Sequence, residues 1–453
     1  MTAAARLSWA RLIGYGVGDV ANNLVFVMGT FFLLTYYTEV AGLPLVAVGT
    51  LLTAVKIYSA CADLAVGRIV DGHSNRWGKF RPFILAGALP LFMLNIAVFS
   101  VPGSWSVGHK LIFAYLSYAL LSTAYAFVNI PYGALASAMT QAPTERARLG
   151  SVRTVMAVLT GSVLTIVVGP TLVSLRGEAL QHSLLWLTVT EAVLGTLLLG
   201  WCFAATRETV SRTVRNPDWR TSLRAIWHNR PLGILCACSA CALAGYTCAN
   251  GSLVFFARYL IDDPKQFFLV MGIQGLVTSA LAFVVVPMLV DRWGKKGSML
   301  TGLGLSLAGY VLVYVVAGVT ATAITYAAFF VTSFGLRVAM ATFWAMEADT
   351  VEYGEWRTGV RVEGITYAVF SLSRKGGQAI GVGLPAWLLA AAGFTPAAFT
   401  QSAAAMGAIA SAVALVPALA ILIAFVLMYF YPLTENALAS IIRDTQAAQR
   451  RSA

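Results

Sequence analysis

Charge is what this chain has least of. Its 453 residues carry 31 Lys and Arg against 19 Asp and Glu, 11% in all, where an ordinary soluble domain carries about a quarter. So thin a polar coat excludes a water-soluble particle of this size. Histidine is scarcer still: His73, His109, His182 and His228 fall in loops or at the ends of apolar runs. They form no metal-ligand cluster or acid–base constellation, so the reading is a non-enzyme that needs no cofactor and no metal. The six cysteines, Cys61, Cys202, Cys236, Cys238, Cys241 and Cys248, all lie in apolar runs without a nearby histidine, as small apolar fillers do. Alternating segments of about ten residues, the mark of an outer-membrane barrel, are missing. So are a filter repeat, which a channel would show, and a polar stretch long enough for the soluble domain of a membrane sensor.

What is abundant is apolar sequence. Hydrophobic residues make up 58% of the chain, the mean hydropathy is +0.77, and runs long enough to cross a bilayer, about 20 residues each, recur from end to end. They predict helical spans near 12–38, 45–70, 83–101, 110–137, 151–174, 183–205, 231–260, 266–290, 298–318, 321–347, 364–391 and 407–431. In lipid such runs must satisfy their own backbone hydrogen bonds, which makes them helices. The fold class is therefore an all-α membrane protein of twelve transmembrane helices, and lipid is the solvent for most of its surface. Several spans are too long to stand upright and must tilt, bend or protrude.

The net charge of +12 resembles a nucleic-acid footprint until its placement is read. Bases sit on alternate loops: Arg76, Lys79 and Arg81; Arg146 and Arg148; six arginines from Arg207 to Arg230; Arg292, Lys295 and Lys296; Arg357 and Arg361. The opposite loops offer little beyond Lys110, Arg176 and Lys265. That asymmetry places both termini in the cytoplasm, and without a basic-aromatic stripe there is no nucleic-acid partner. The amino terminus has no short apolar core with a small-residue cleavage site, so the first helix is read as uncleaved.

The most polar internal segment, 207–230, divides an amino-terminal bundle (1–206) from a carboxy-terminal one (231–433), with a cytoplasmic tail at 434–453. The halves echo each other: V-D-G-H-S-N-R-W-G-K-F-R-P begins at Val70 and V-D-R-W-G-K-K-G at Val290. Two six-helix bundles around a central cavity is the major-facilitator arrangement, in which the solute sits near the midplane while the bundles rock. Asp71 and Asp291 close helices at their carboxy-terminal ends, where the macrodipole disfavours an anion. Each is therefore expected to meet a cation or another helix's amino terminus, with Arg76, Lys79 and Arg81 at hand. Such a cluster either gates the cytoplasmic side or simply anchors the chain.

An ionisable side chain inside a span costs at least about 2.5–3.5 kcal/mol by insertion scales, which makes each a functional suspect. They are Asp19, Lys56, Asp63, Arg153, Glu191, Arg337, Glu347, Asp349, Arg374 and Lys375. Glu191 has no evident partner, and is either one of these functional groups or a side chain facing headgroups or water. Lys56, Ser59 and Asp63 fall on one face of the second helix, either a permanently compensated ion pair or a site whose carboxylate takes up a proton on one side and releases it on the other. Asp19 follows glycines 14, 16 and 18, which let the backbone bend or a neighbour approach. Asn22 and Asn23 come next, and Asn129 precedes Pro131, whose ring frees a carbonyl at membrane depth. With Tyr125, Arg153 and Lys375 these supply donors, acceptors and aromatic faces that suit a sugar, though each also serves as helix-to-helix glue.

The segments GYGVGDVANN, TYYTEVAGL, RWGKFRPF, VNIPYGALASAMTQ with RARLG, EADTVEYGEW with TGVRVEGITY, and RKGGQAIG together resemble the glycoside–pentoside–hexuronide:cation symporters. This is the melibiose-permease family of the major facilitators, and the likeness is strongest to its bacterial glucuronide carriers. It runs through nearly the whole chain in order. It implies a secondary transporter of a sugar or sugar acid in a bacterial inner membrane, driven by a cation. By this likeness Asp19 is the carboxylate that holds sugar hydroxyls, Arg153 its basic partner, Tyr125 the aromatic contact and Lys375 the lysine of the eleventh helix. Asn129 stands where melibiose carriers have a second sugar-binding aspartate. One anion fewer suits a uronate, which Arg153, Lys375 and Arg337 would attract. Of the four positions that serve sodium in the family only Asp63 keeps its ligand; Ser59, Ala62 and Ala126 replace the others. A lone carboxylate still takes a proton, so H+ rather than Na+ is the expected coupling ion. The alternative is a sodium-coupled or uncoupled carrier of a neutral glycoside or pentoside.

Overall fold

The computed structural model describes residues 7–72, 75–140, 142–209, 229–317, 322–359, 363–396 and 398–452. Among these the chain is helical without strands, its one extended pairing being an isolated bridge between Asn75 and Gly78. Helix α1 spans Trp9–Val40, regular to Val27 and then widened by π-turns at Met28–Phe32 and Tyr36–Val40. Next come α2 (Leu45–Gly72), α3 (Arg81–Val98), α4 (Val107–Met139), α5 (Pro143–Ser174), α6 (Gly177–Ala205) and α7 (Arg230–Leu260). The run Pro264–Val316 breaks at Gly294 (φ 70°, ψ 176°) into α8 (264–293) and α9 (295–316). The chain closes with α10 (Thr322–Thr358), α11 (Glu363–Ala391), α12 (Ala403–Tyr429, with a π-turn at Ser411–Leu415) and α13 (Glu435–Ser452).

Ten runs among the described residues are long and apolar enough to cross a bilayer. The break at Gly294 makes two spans of one of them, and α11, 29 residues long, completes twelve. Composition explains these elements: a spanning backbone must pair internally. At the head of α4 a side chain caps the helix, where Ser106 accepts a hydrogen bond from the His109 N–H.

Two compact units emerge. The first is Met1–Thr213 with Leu253–Ile273 and Pro385–Met406, and the second is Val214–Ser252, Gln274–Leu384 and Gly407–Ala453. Apolar area gains little by leaving lipid for a neighbouring helix, so close backbone approach must hold the spans. In the first unit the glycines ahead of Asp19 permit approach rather than a bend, and α1 stays helical through them. A Cβ on Gly14 would come within 2.2 Å of the Ala205 Cβ, one on Gly16 within 2.6 Å of Val152, and one on Gly18 within 2.5 Å of the Tyr132 ring. In this way α6, α5 and α4 seat on one stretch of α1.

At the opposite end of the same unit, the carboxy-terminal end of α7 reaches first-half helices. Arg258 pairs with Glu39 of α1 and also donates to the Leu172 carbonyl of α5. Tyr259 and Arg176 both donate to the Ala398 carbonyl, at 2.9 and 3.3 Å. Within the second unit, a buried apolar core joins α7, α9, α10, α11 and α12 and includes Leu438 and Ile441 of α13.

The structure also finds the missing partner of Glu191. Its side chain is buried within the bundle instead of facing headgroups or water, and it accepts a hydrogen bond from the Asn95 amide of α3 at 3.1 Å. The reason is steric: the Phe92 ring occupies the space where a Cβ on Gly195 would stand, so α3 and α6 lie close enough for the polar pair to close. The cysteines are free thiols, and Cys238 and Cys248 donate to the carbonyls of Ala424 and Ala412 at 3.3 Å.

Candidate functional site

The first unit holds a polar centre around Asp19. Its Oδ1 accepts from Arg153 Nε at 2.7 Å and its Oδ2 from Asn23 Nδ2 at 2.8 Å. The carboxylate side chain is 4% exposed and that of Arg153 39%, so the pair presents its cationic end outward. Arg153 also lies over the Tyr132 ring, 5.2 Å from its centre. Tyr132 in turn stacks on Tyr15 at 4.8 Å and donates to the Tyr15 carbonyl at 2.9 Å. The guanidinium is thus held by a carboxylate on one edge and an aromatic face on the other, which leaves nitrogens to meet a further acceptor.

Tyr125, Asn129 and Tyr132 recur at i, i+4 and i+7 on α4, which puts them on one face. Tyr125 lies within electrostatic reach of Asp19 and Arg153. α4 runs unbroken through Pro131. Asn22, singled out with Asp19 in the sequence, turns its amide back to the Gly18 carbonyl at 2.8 Å and leaves a buried Oδ1 without a partner. The neighbouring Asn23 is the one that holds Asp19. Sequence reading passed over Tyr15 and Tyr132 as site members, although Tyr132 continues the periodicity of Tyr125 and Asn129.

On α2, the Lys56 ammonium turns to a ring of a neighbouring helix. The Lys56 ammonium lies 5.3 Å from the centre of the Phe26 ring of α1. Seven residues of helix rise about 10 Å, and side chains lean toward the amino terminus, so Lys56 points away from Asp63. Ser59 lies between them, half-buried. Ala62 and Ala126 are buried and present methyl groups. Ala126 packs with Val66 and Val70 in a small apolar cluster.

The two W-G-K turns are seated alike. In the first, Glu208, just beyond α6, accepts from the backbone N–H groups of Lys79, Phe80 and Arg81 at 2.8, 2.8 and 3.0 Å. The Arg81 side chain donates to the Phe203 carbonyl at 2.6 Å, and Arg76 lies over Trp77. In the second unit, Glu435, just beyond α12, accepts from the Lys295 N–H at 3.0 Å, while Lys296 donates to the carbonyls of Tyr429 and Tyr431. Both turns use a glycine of positive φ: a Cβ on Gly78 would stand 2.5 Å from Glu208, and one on Gly294 2.8 Å from Glu435. Lys295, one turn beyond Asp291, pairs with Asp349 of α10 at 2.6 Å, and Asp291 is exposed. A bridge of two helix ends satisfies the lysine better than a solvated aspartate one turn away. The Asp71 side chain lies outside the described residues.

Arg337 and Lys375 belong to the second unit, on α10 and α11, and Arg337 lies within electrostatic reach of Tyr246 of α7. Among the described residues no group of three or more His, Cys, Asp or Glu is placed to hold a metal ion.

The family model described as "MFS/sugar transport protein" matches residues 14–435. The chain is 43% identical to the glucuronide carrier protein homolog of Escherichia coli K12, over 96% of this chain and 95% of that one. It is 30% identical to the inner membrane symporter YicJ of the same strain, over 98% and 96%. Among solved structures, the crystal structure of a D-xylose–proton symporter superposes with a TM-score of 0.65 at 14% identity, over 94% of this chain and 98% of that one, a likeness of fold.

Proposed function

Because the chain belongs to the MFS/sugar transport protein family, a family of carriers and not of enzymes, we propose that it moves an anionic sugar, a glucuronide, together with a proton. It is a multi-pass secondary transporter working on a small molecule in a lipid bilayer. The observation that carries the substrate reading is the Asp19–Arg153 pair. Its carboxylate is spent on Arg153 and Asn23, its guanidinium is the exposed member, and Asn129 adds no second negative charge to the α4 face. A sugar carboxylate offers that guanidinium the planar, charge-assisted partner it suits best. Tyr125 and Asn129 then meet ring hydroxyls, with Asn22, Arg337 and Lys375 as further contacts. The name of the 43% identical relative supports the same substrate.

Proton coupling at Asp63 is favoured by what surrounds it. Ala62 and Ala126 present methyls where a dehydrated sodium ion would need oxygens, whereas a carboxylate alone is enough to carry a proton. Lys56 and Ser59 tune that helix face. Asp71, Arg76, Lys79, Arg81 and Asp291 form the cytoplasmic gate in this reading, which has the protein in a bacterial inner membrane, both termini inside and its two six-helix halves joined at 207–230. The test is entrance counterflow in proteoliposomes with labelled glucuronides and the matching glucosides. Counterflow of the glucuronide, with accumulation driven by a pH gradient and not by sodium, is expected. Preference for the glucoside would overturn the substrate, and accumulation driven by sodium at fixed pH would overturn the coupling ion.

A further inference from the structure

Helix α10 has two unlike faces. At Gly335 it presses on α9, where a Cβ would meet the Gly302 carbonyl at 2.6 Å. At about 100° per residue, Arg337 and Trp344 both lie roughly half a turn away, together on the far face. There Trp344 is 43% exposed, and Tyr367 of α11, 53% exposed, stacks on it with ring centres 5.5 Å apart. Arg374, also on α11, lays its guanidinium over this platform, 5.0 Å from the Trp344 ring and 5.7 Å from Phe370. Its Nη1 is buried and has no hydrogen-bond partner.

A guanidinium carries five N–H donors and cannot shed its charge in a protein. Within a span it does not face hydrocarbon, and with Arg337 on the same side it marks a face lined by water or solute. Ring stacking fixes its plane and satisfies no donor. From this we infer that Arg374 is a specificity-determining residue: held flat by Trp344, it supplies a second fork for the carboxylate that Arg153 also attracts, while the open faces of Trp344 and Tyr367 take the apolar face of the sugar ring. The inference rests on the anionic-sugar reading above and names where in the second unit the anion is recognised.

The experiment is calorimetry on the purified full-length protein with phenyl glucuronide and phenyl glucoside. The native protein should bind the glucuronide more tightly. Arg374→Gln should weaken glucuronide binding about ten- to a hundredfold, the span of a charge-assisted hydrogen bond, and move glucoside binding by less than about threefold. Arg374→Met, which keeps a flexible chain on the indole, should do the same. Arg374→Lys, which keeps the charge and loses the fork, should fall between. Trp344→Leu should weaken both ligands. Equal losses for the two ligands in Arg374→Gln or Arg374→Met, or no loss, overturn the inference while the substrate reading stands. Should neither variant fold, a glucuronide-to-glucoside ratio in Arg374→Lys equal to the native one overturns it. No glucuronide preference in the native protein sinks both readings together.

Discussion

Arg258 and Glu39 close an ion pair between α7 and α1 with their side chains only 4% and 3% exposed. Burial makes the two members interdependent. Removing one strands a charge, which costs about 3–5 kcal/mol, whereas replacing both by apolar groups is often near neutral. Glu39→Gln and Arg258→Met should each lower the thermal midpoint in detergent, and the double variant should recover most of the loss. Additive losses would show that the two side chains act independently.

Asp63→Asn should abolish uphill uptake in a pH gradient and leave exchange of bound sugar partly intact, since exchange does not require return of the empty carrier. Counterflow and gradient-driven uptake measured on one preparation separate the two. Loss of both, with binding, would give Asp63 a structural role.

Asp19→Asn removes the charge that holds Arg153 through a 2.7 Å bond. Losing a charge-assisted hydrogen bond costs about 1.5–3 kcal/mol, so sugar affinity should fall about ten- to a hundredfold. Arg153→Gln should weaken a glucuronide more than its glucoside, and equal weakening would mean that the base recognises hydroxyls.

Gly78→Ala and Gly294→Ala force a side chain into positive φ, at about 1–2 kcal/mol, and into the glutamate beneath it. Gly67→Ala, in α2 with open space where its Cβ would stand, should stabilise by about 0.5–1 kcal/mol instead. Thermal midpoints of the three variants check the contrast. A Gly78→Ala protein as stable as the native one would mean that the turn is not held.

Much of this was legible in the sequence because lipid imposes a one-dimensional rule: an apolar run long enough to span is a helix. The expected spans 45–70, 183–205 and 231–260 lie inside α2, α6 and α7, and Asp19 with Arg153 stood out by their cost in lipid. What stayed hidden depends on segments far apart in the chain. Tyr15 and Tyr132 are 117 residues apart, and neither is unusual in a span until the two stack. Periodicity tied Lys56 to Asp63, but nothing in it pointed to the Phe26 ring of α1 that the Lys56 ammonium meets. The repeated W-G-K was plain, but the glutamates that need its glycine come after α6 and α12, in segments without a motif of their own. The π-turns of α1 and α12 leave no mark in hydropathy, since widening a turn by one residue changes register and not composition.

Those two glutamates also say where the carrier can yield. Each fastens the bend after an early span to the exit of the last span of its own half, Glu208 to residues 79–81 and Glu435 to residue 295. Mechanically each half is then a closed circuit, stitched shut where main-chain N–H groups meet a glutamate carboxylate. Compliance has to come from inside the spans, and the loosened winding at Met28–Phe32, Tyr36–Val40 and Ser411–Leu415 is where the helices have slack to give.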